Sequence, residues 1–278
     1  MAKTMLRSRA FVSLFFATSV LVTACAAPPP KSPLSYSEDA KRAYEVAMVE
    51  VKDHNWLDAQ LLMREVRRKY GYSKYARLAE LRLADIDFEQ EKYTEASREY
   101  KQFIHDHRGE KEEATYASAR IAECEYREIS DTILLPAPEE RDQASVLDAY
   151  RELRSFLKDH ADSKDAPRLC GMLEEVTGRL IGHELRVARF YRGRGNYEGT
   201  VGRVQFALRN YSTPLSCMTG ANASTSEFGG VPEALILLGE TYLRLERKAE
   251  ARAAFEAVLK GFPKSGYAVE ASNYLKPT

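Results

Sequence analysis

Apolar residues recur three and four positions apart along almost the whole chain, and no stretch sustains two-residue alternation. The pattern therefore predicts helices throughout and an all-α fold. The spacing also repeats. A small residue is followed four and seven positions later by further core-type residues in Ala59-x-x-x-Met63-x-x-Val66, Ala96-x-x-x-Tyr100-x-x-Phe103, Ala149-x-x-x-Leu153-x-x-Phe156, Thr200-x-x-x-Val204-x-x-Ala207 and Ala251-x-x-x-Phe255-x-x-Val258. Two of these units are also related letter by letter, EYKQFIHDH at 99–107 and ELRSFLKDH at 152–160. Each unit reads as the second helix of an α-hairpin. The expected pairs are near 37–53 with 55–70, 74–90 with 92–107, 111–129 with 143–160, 165–193 with 196–211, and 231–245 with 247–261. A short capping helix is expected near 265–275. Two insertions interrupt the rhythm: 130–142, with Pro136 and Pro138, and the Ser-, Thr- and Gly-rich 212–230, which reads as a mobile loop. Hairpins that bury their faces only against neighbours stack into one continuous solenoid, not independent domains.

The last unit carries more detail. Leu238-Gly239-x-x-Tyr242 precedes Ala251-x-x-x-Phe255-x-x-Val258, and Pro263 follows. This spacing resembles the tetratricopeptide repeat almost position for position. Small Gly239 and Ala251 let two helices approach, Tyr242, Phe255 and Val258 fill the space between them, and Pro263 stops the second helix. The fold expected for residues 37–278 is a tetratricopeptide-repeat α-solenoid of about five hairpins. Its repeats fall at about 37–70, 74–107, 111–160, 165–211 and 231–263.

Composition adds limits. Forty-one basic residues balance 41 acidic ones, which argues against a partner held by charge alone, nucleic acid above all. Hydrophobic residues at 44% are enough for a core. The first 25 residues differ from the rest. Lys3, Arg7 and Arg9 precede an apolar run from Ala10 to Leu21 that is too short to span a bilayer, and Val22-Thr23-Ala24-Cys25 follows. This looks like a bacterial lipobox, so 1–24 reads as a lipoprotein signal peptide and Cys25 as the lipid attachment site, several acyl chains holding far better than one. Ala26-Ala27-Pro28-Pro29-Pro30 opens an extended tether over 25–36. Ala26 is not the aspartate that resembles an inner-membrane retention signal, so the expected destination is the outer membrane.

A more specific resemblance covers residues 183–211, HELRVARFYRGRGNYEGTVGRVQFALRNY. An aromatic pair before an Arg-Gly turn, followed by Arg-Val on the next helix, resembles the fourth repeat of the BamD family of outer-membrane β-barrel assembly lipoproteins. Asn55-Trp56-x-x-Ala59 resembles the first repeat of that family, and the insertion within the third repeat agrees. Gly202, where the family usually has Asn, and the long 212–230 insertion depart from it. The resemblance implies a binding protein with no catalytic activity, on the periplasmic face of the outer membrane. Its carboxy-terminal repeats would dock on the periplasmic domains of the barrel-forming assembly protein. Its amino-terminal repeats would hold an extended segment of an unfolded outer-membrane protein substrate, and other assembly lipoproteins could join. By matching position, Arg203 would make a charge-assisted contact to the assembly protein. The same reading leaves open another periplasmic repeat lipoprotein, such as a secretin pilotin or a cell-envelope coordinator.

Other candidate residues have competing readings. Phe190, Tyr191 and Tyr197 read either as a partner-binding patch or, at helical spacing, as hairpin core. Trp56 reads as core or as an aromatic at the rim of a substrate-peptide pocket. His105 and His107 lie two apart and so on different helix faces, a poor arrangement for zinc, and no metal or cofactor is expected. Gly193, Gly195, Gly199 and Gly202 read as a tight inter-helix turn and close helix packing, since no strand precedes them. Cys124, Cys170 and Cys217 leave an odd thiol. A Cys124–Cys170 bridge between repeats three and four and buried free thiols are both open. A hydrolase or a thiol redox protein is the reading from a different class.

Overall fold

The computed structural model describes residues 33–129, 142–212 and 230–276. Residues 1–24, Cys25, most of the tether, Cys217 and nearly all of both insertions lie outside the described residues. Eleven helices and no strand occur among the described residues: α1 (Pro33–Lys52), α2 (Trp56–Lys69), α3 (Lys74–Glu89), α4 (Tyr93–Asp106), α5 (Lys111–Arg127), α6 (Ala144–Asp159), α7 (Ala166–Gly193), α8 (Tyr197–Tyr211), α9 (Val231–Arg244), α10 (Lys248–Gly261) and α11 (Gly266–Leu275). The all-α repeat fold expected from the pattern is the fold found. One boundary differs: α1 begins at Pro33, inside the expected tether, because the first helical position needs no N–H.

Each helix packs on its chain neighbours, and the odd-numbered helices also touch along α1–α3, α5–α7, α7–α9 and α9–α11. In a curved stack of two layers, the layer whose members touch is the one on the shorter, inner arc. The odd helices therefore form the inner wall and the even helices the outer one. What sets the hairpin spacing is the small residue near the start of each even helix. Ala59, Ala96, Ala149, Thr200 and Ala251 are all buried, as are Met63, Tyr100, Leu153, Val204 and Phe255 one turn on.

The turns repeat as faithfully as the cores. His54, Glu91, Gly195 and Glu246 all adopt positive φ, each five residues before its buried small residue. The next N–H reaches back five residues in every case: Asn55 to Glu50, Lys92 to Asp87, Asn196 to Tyr191 and Arg247 to Tyr242 (2.9–3.0 Å). This is the left-handed helix ending that glycine normally takes, and only the fourth repeat supplies glycine. The related segments at 99–107 and 152–160 also match in space. His107 and His160 end α4 and α6, with rings 4.6 and 5.1 Å from Phe103 and Phe156.

The stack ends under α11, which buries Ala268 and Ala271. Tyr274 stacks on Phe255 with centroids 4.5 Å apart and 7° between planes, and its hydroxyl donates to Glu240 Oε1 at 2.8 Å. That bond holds the Tyr274 hydroxyl up at about 12. A Cβ added to Gly239 would lie 2.5 Å from Cε1 of the same Phe255 ring. A ring already stacked on Tyr274 has little room to yield. Gly239→Ala should therefore lower stability by about 1–2 kcal/mol even after its gain in helix propensity. Gly202, exposed within α8 with no atom within 4 Å of such a Cβ, is the control. Gly202→Ala should gain up to about 1 kcal/mol, both being read from urea unfolding.

Candidate functional site

The inner wall of the first three repeats carries a connected network of buried and half-buried polar side chains. Asp85, buried on α3, accepts hydrogen bonds from the hydroxyls of Tyr100 on α4 and Tyr116 on α5, the latter at 2.7 Å. Arg82, one turn before it, pairs with its other oxygen at 2.8 Å and lies over the Tyr116 ring. Arg120 on α5 donates to the Tyr100 hydroxyl (3.3 Å) and to Glu123 (3.1 Å), and its guanidinium sits 3.6 Å above the Phe88 ring. Arg168 on α7 reaches Glu123 at 2.8 Å and carries the network into the fourth repeat. Burial first, and then the Asp85 carboxylate, pushes the Tyr100 and Tyr116 hydroxyls well above the ordinary phenol range, so both remain donors.

Above this network the wall is aromatic and basic. Tyr44 of α1 packs against Tyr75 of α3 with centroids 5.7 Å apart, and Lys74 stands over the Tyr75 ring. Burial raises the Tyr44 hydroxyl, with Arg82 and Asp85 acting on it electrostatically, which places Tyr44 beside the network. Arg82 remains 27% exposed, and its Nε is a buried donor without an acceptor among the described residues; Arg77, turned to another side of α3, pairs with Glu110 at 3.0 Å. Tyr44, Tyr75, Arg82 and Tyr116 are what sequence reasoning missed. The available signal was the pair Arg82 and Asp85, two opposite charges one turn apart among the apolar Leu81, Leu83, Ala84 and Ile86.

Trp56 lies elsewhere. It opens α2, half-buried at the edge of the first repeat's core, and its ring meets His54 edge-on at 5.0 Å. Arg203 on α8 pairs with Glu184 of α7 at 3.3 Å while 44% of its side chain stays exposed. Phe190, Tyr191 and Tyr197 are not hairpin core. Phe190 is 56% exposed with Arg194 over its ring at 4.5 Å, and the two tyrosines are half-buried. The reason is register: Leu185 and Ala188 take the buried face of α7, which leaves residue 190 on the far side. Of the four clustered glycines, Gly195 makes the turn at φ 76°, but Gly193 and Gly202 have open space where a Cβ would go, so close helix packing is not their role. Ion pairs from Arg192 to Glu240 (2.9 Å) and from Arg189 to Glu233 join α7 to α9 across the 212–230 insertion. His107 pairs with Glu80 at 2.6 Å, and His105 with Asp106 at 2.9 Å.

A Cys124–Cys170 bridge is excluded. Cys124 is a free, buried thiol on α5, whereas Cys170 on α7 is disulfide-bonded. Burial pushes the Cys124 thiol up to about 12.

Two measurements check these assignments. Asp85→Ala strips two buried hydroxyls of their acceptor and Arg82 of its counter-charge, and should cost about 3–5 kcal/mol in urea unfolding. Cys124 should resist Ellman's reagent in the native protein and react once guanidinium unfolds it. Because the fold favours the neutral thiol, this group costs nothing below the unfolded value of roughly 8.5 and erodes stability as pH rises from there toward 12.

Comparison with known proteins agrees with this architecture. Residues 37–225 match the family model described as outer membrane lipoprotein, and residues 233–265 match the tetratricopeptide repeat. The chain is similar to the outer membrane protein assembly factor BamD of Caulobacter vibrioides, 26% identical over 91% of this chain and 76% of that protein. It is also similar to the BamD of Xylella fastidiosa strain Temecula1, at 22% over 91% and 82%. Among solved structures, a thermophilic tetratricopeptide-repeat protein of Thermus thermophilus is 15% identical, covering 85% of this chain and 98% of that one at a TM-score of 0.31. With a family model matched through four of its five repeats, the chain belongs to the outer membrane lipoprotein family.

Proposed function

We propose that this protein is a lipid-anchored scaffold on the periplasmic face of the outer membrane that serves the assembly of outer-membrane β-barrel proteins. The similarity to outer membrane protein assembly factors along nearly the whole chain carries this reading. In it, Cys25 bears the acyl chains that hold the scaffold to the membrane. The inner wall of repeats one to three receives an extended segment of an unfolded barrel substrate. Apolar substrate side chains lie against Tyr44, Tyr75 and Tyr116, and substrate carbonyl or carboxylate oxygens accept from Arg82. Trp56, on the outer layer, stands apart from this wall. The periplasmic domains of the barrel-forming protein dock on the α7–α8 face, where Phe190, Tyr191, Tyr197 and the exposed part of Arg203 supply the aromatic and arginine chemistry that dominates interface energetics.

The test is capture of partners from solubilised envelopes, followed by mass spectrometry. Reversing the charge of Arg203 would place a second carboxylate against Glu184 and confuse binding with stability. Arg203→Lys keeps the charge opposite Glu184 and removes the planar fork. It should leave the unfolding curve in place and weaken capture of the assembly protein about tenfold, roughly 1.4 kcal/mol. Capture of a secretin in place of any barrel-assembly protein by the unaltered chain would overturn the proposal.

A further inference from the structure

Exposed apolar side chains are concentrated at one end of the solenoid. Eleven large ones are exposed among the described residues, and six of them, Leu34, Val46, Val49, Leu57, Leu61 and Tyr72, lie within residues 34–72, on or beside the first hairpin. From Ser73 to Arg189 the described chain exposes none. Leu57 and Leu61, 72% and 54% exposed, stand about one turn apart on the side of α2 opposite Ala59 and Met63. Val49 lies two residues from both Ala47 and Val51, on the side of α1 turned from the core. The first repeat has no repeat before it. Terminal repeats normally present a polar outer face, and at the other end α11 supplies a cap.

The chain outside the described residues points to the occupant. Seven residues separate Cys25 from Pro33, three of them the prolines 28–30. Fully extended, that segment reaches about 28 Å from lipid attachment to the first helix. The first repeat is therefore the part of the solenoid held at the bilayer surface, at high local concentration. Residues 33–72 carry seven acidic and seven basic side chains, so attraction to anionic headgroups is not the driving force.

We infer that the first hairpin docks on the lipid surface through the exposed aliphatic side chains of α1 and α2, chiefly Leu57 and Leu61. This rests on the reading of Cys25 as the lipid attachment site. Aliphatic side chains entering the boundary between headgroups and acyl chains gain the transfer energy they lack in water, and the tether removes most of the entropic cost of finding that surface. Docking by this hairpin fixes the orientation of the stack and sets the inner wall at a defined height above the membrane.

The chain carries its own probe. Trp56, its single tryptophan, adjoins Leu57 in sequence. The mature acylated protein is reconstituted into vesicles of phosphatidylethanolamine with a minority of phosphatidylglycerol, with and without brominated acyl chains. Bromine should quench Trp56 fluorescence, and quenching should persist in high salt. Leu57→Ser with Leu61→Ser should lose the quenching while the protein still floats with the vesicles and keeps its helical circular dichroism. Val269→Ser, an exposed residue on α11, should leave quenching unchanged. Floating protein whose Trp56 is not quenched, or quenching that survives the double substitution, overturns the docking proposal. Protein that fails to float at all overturns the anchor reading instead. A cross-link from position 57 to an envelope protein, with no quenching, would assign the face to a protein partner and also reject lipid docking.

Discussion

Helices can stack this closely only if something small stands at each crossing. Ala59, Ala96, Ala149, Thr200 and Ala251 meet that need, one per repeat and all buried. Side chains at the contact decide how near two helix axes come, so a bulky residue at any of these positions would splay its hairpin and pass the error along the rod. Thr200 shows how tight the constraint is. Where the other repeats have alanine, its hydroxyl is satisfied by the Ala188 and Asn196 carbonyls (3.2 and 3.1 Å), so a polar atom sits at the crossing without an unmet hydrogen bond.

The two halves of the solenoid solve the packing problem with different chemistry. From α5 to α11 one apolar cluster runs almost unbroken through Leu153, Leu173, Leu185, Val204 and Phe255. In the first two repeats and on the side of α5 that faces them the apolar clusters are smaller, and a network centred on Asp85 spans the gap between α3, α4 and α5. Buried charge adds little stability over apolar packing, but it tolerates only the geometry that satisfies it. In the proposed role, such a network holds the wall in a fixed shape for a substrate segment, and the apolar half gives a rigid platform for a partner protein.

The repeat arithmetic was legible because helical periodicity is a local property. Residues three and four apart share a face whatever surrounds them, so five hairpins, their order and the final cap could be read directly. The proposed binding residues were legible only in part. Arg203 was singled out by resemblance, but its bond to Glu184 was invisible, because residues 19 positions apart meet through a turn whose geometry the letters do not state. Phe190 could be read as core or as a binding patch, because helical spacing alone does not say which side of α7 is buried; its place two residues beyond buried Ala188 turns it outward.

Sequence by itself determined which stretches coil, where they break and which small residues allow them to pack, because each depends on steric and hydrophobic rules acting within a few residues. Tertiary structure alone decided that Tyr44, Arg82, Asp85 and Tyr116 share one wall, that Cys124 and Cys170 stay apart, and that the first repeat leaves its aliphatic side chains uncovered. These outcomes depend on how each repeat is rotated onto the next. Small tilts at every small-residue contact add along the stack, and only their sum brings distant side chains together or leaves them bare.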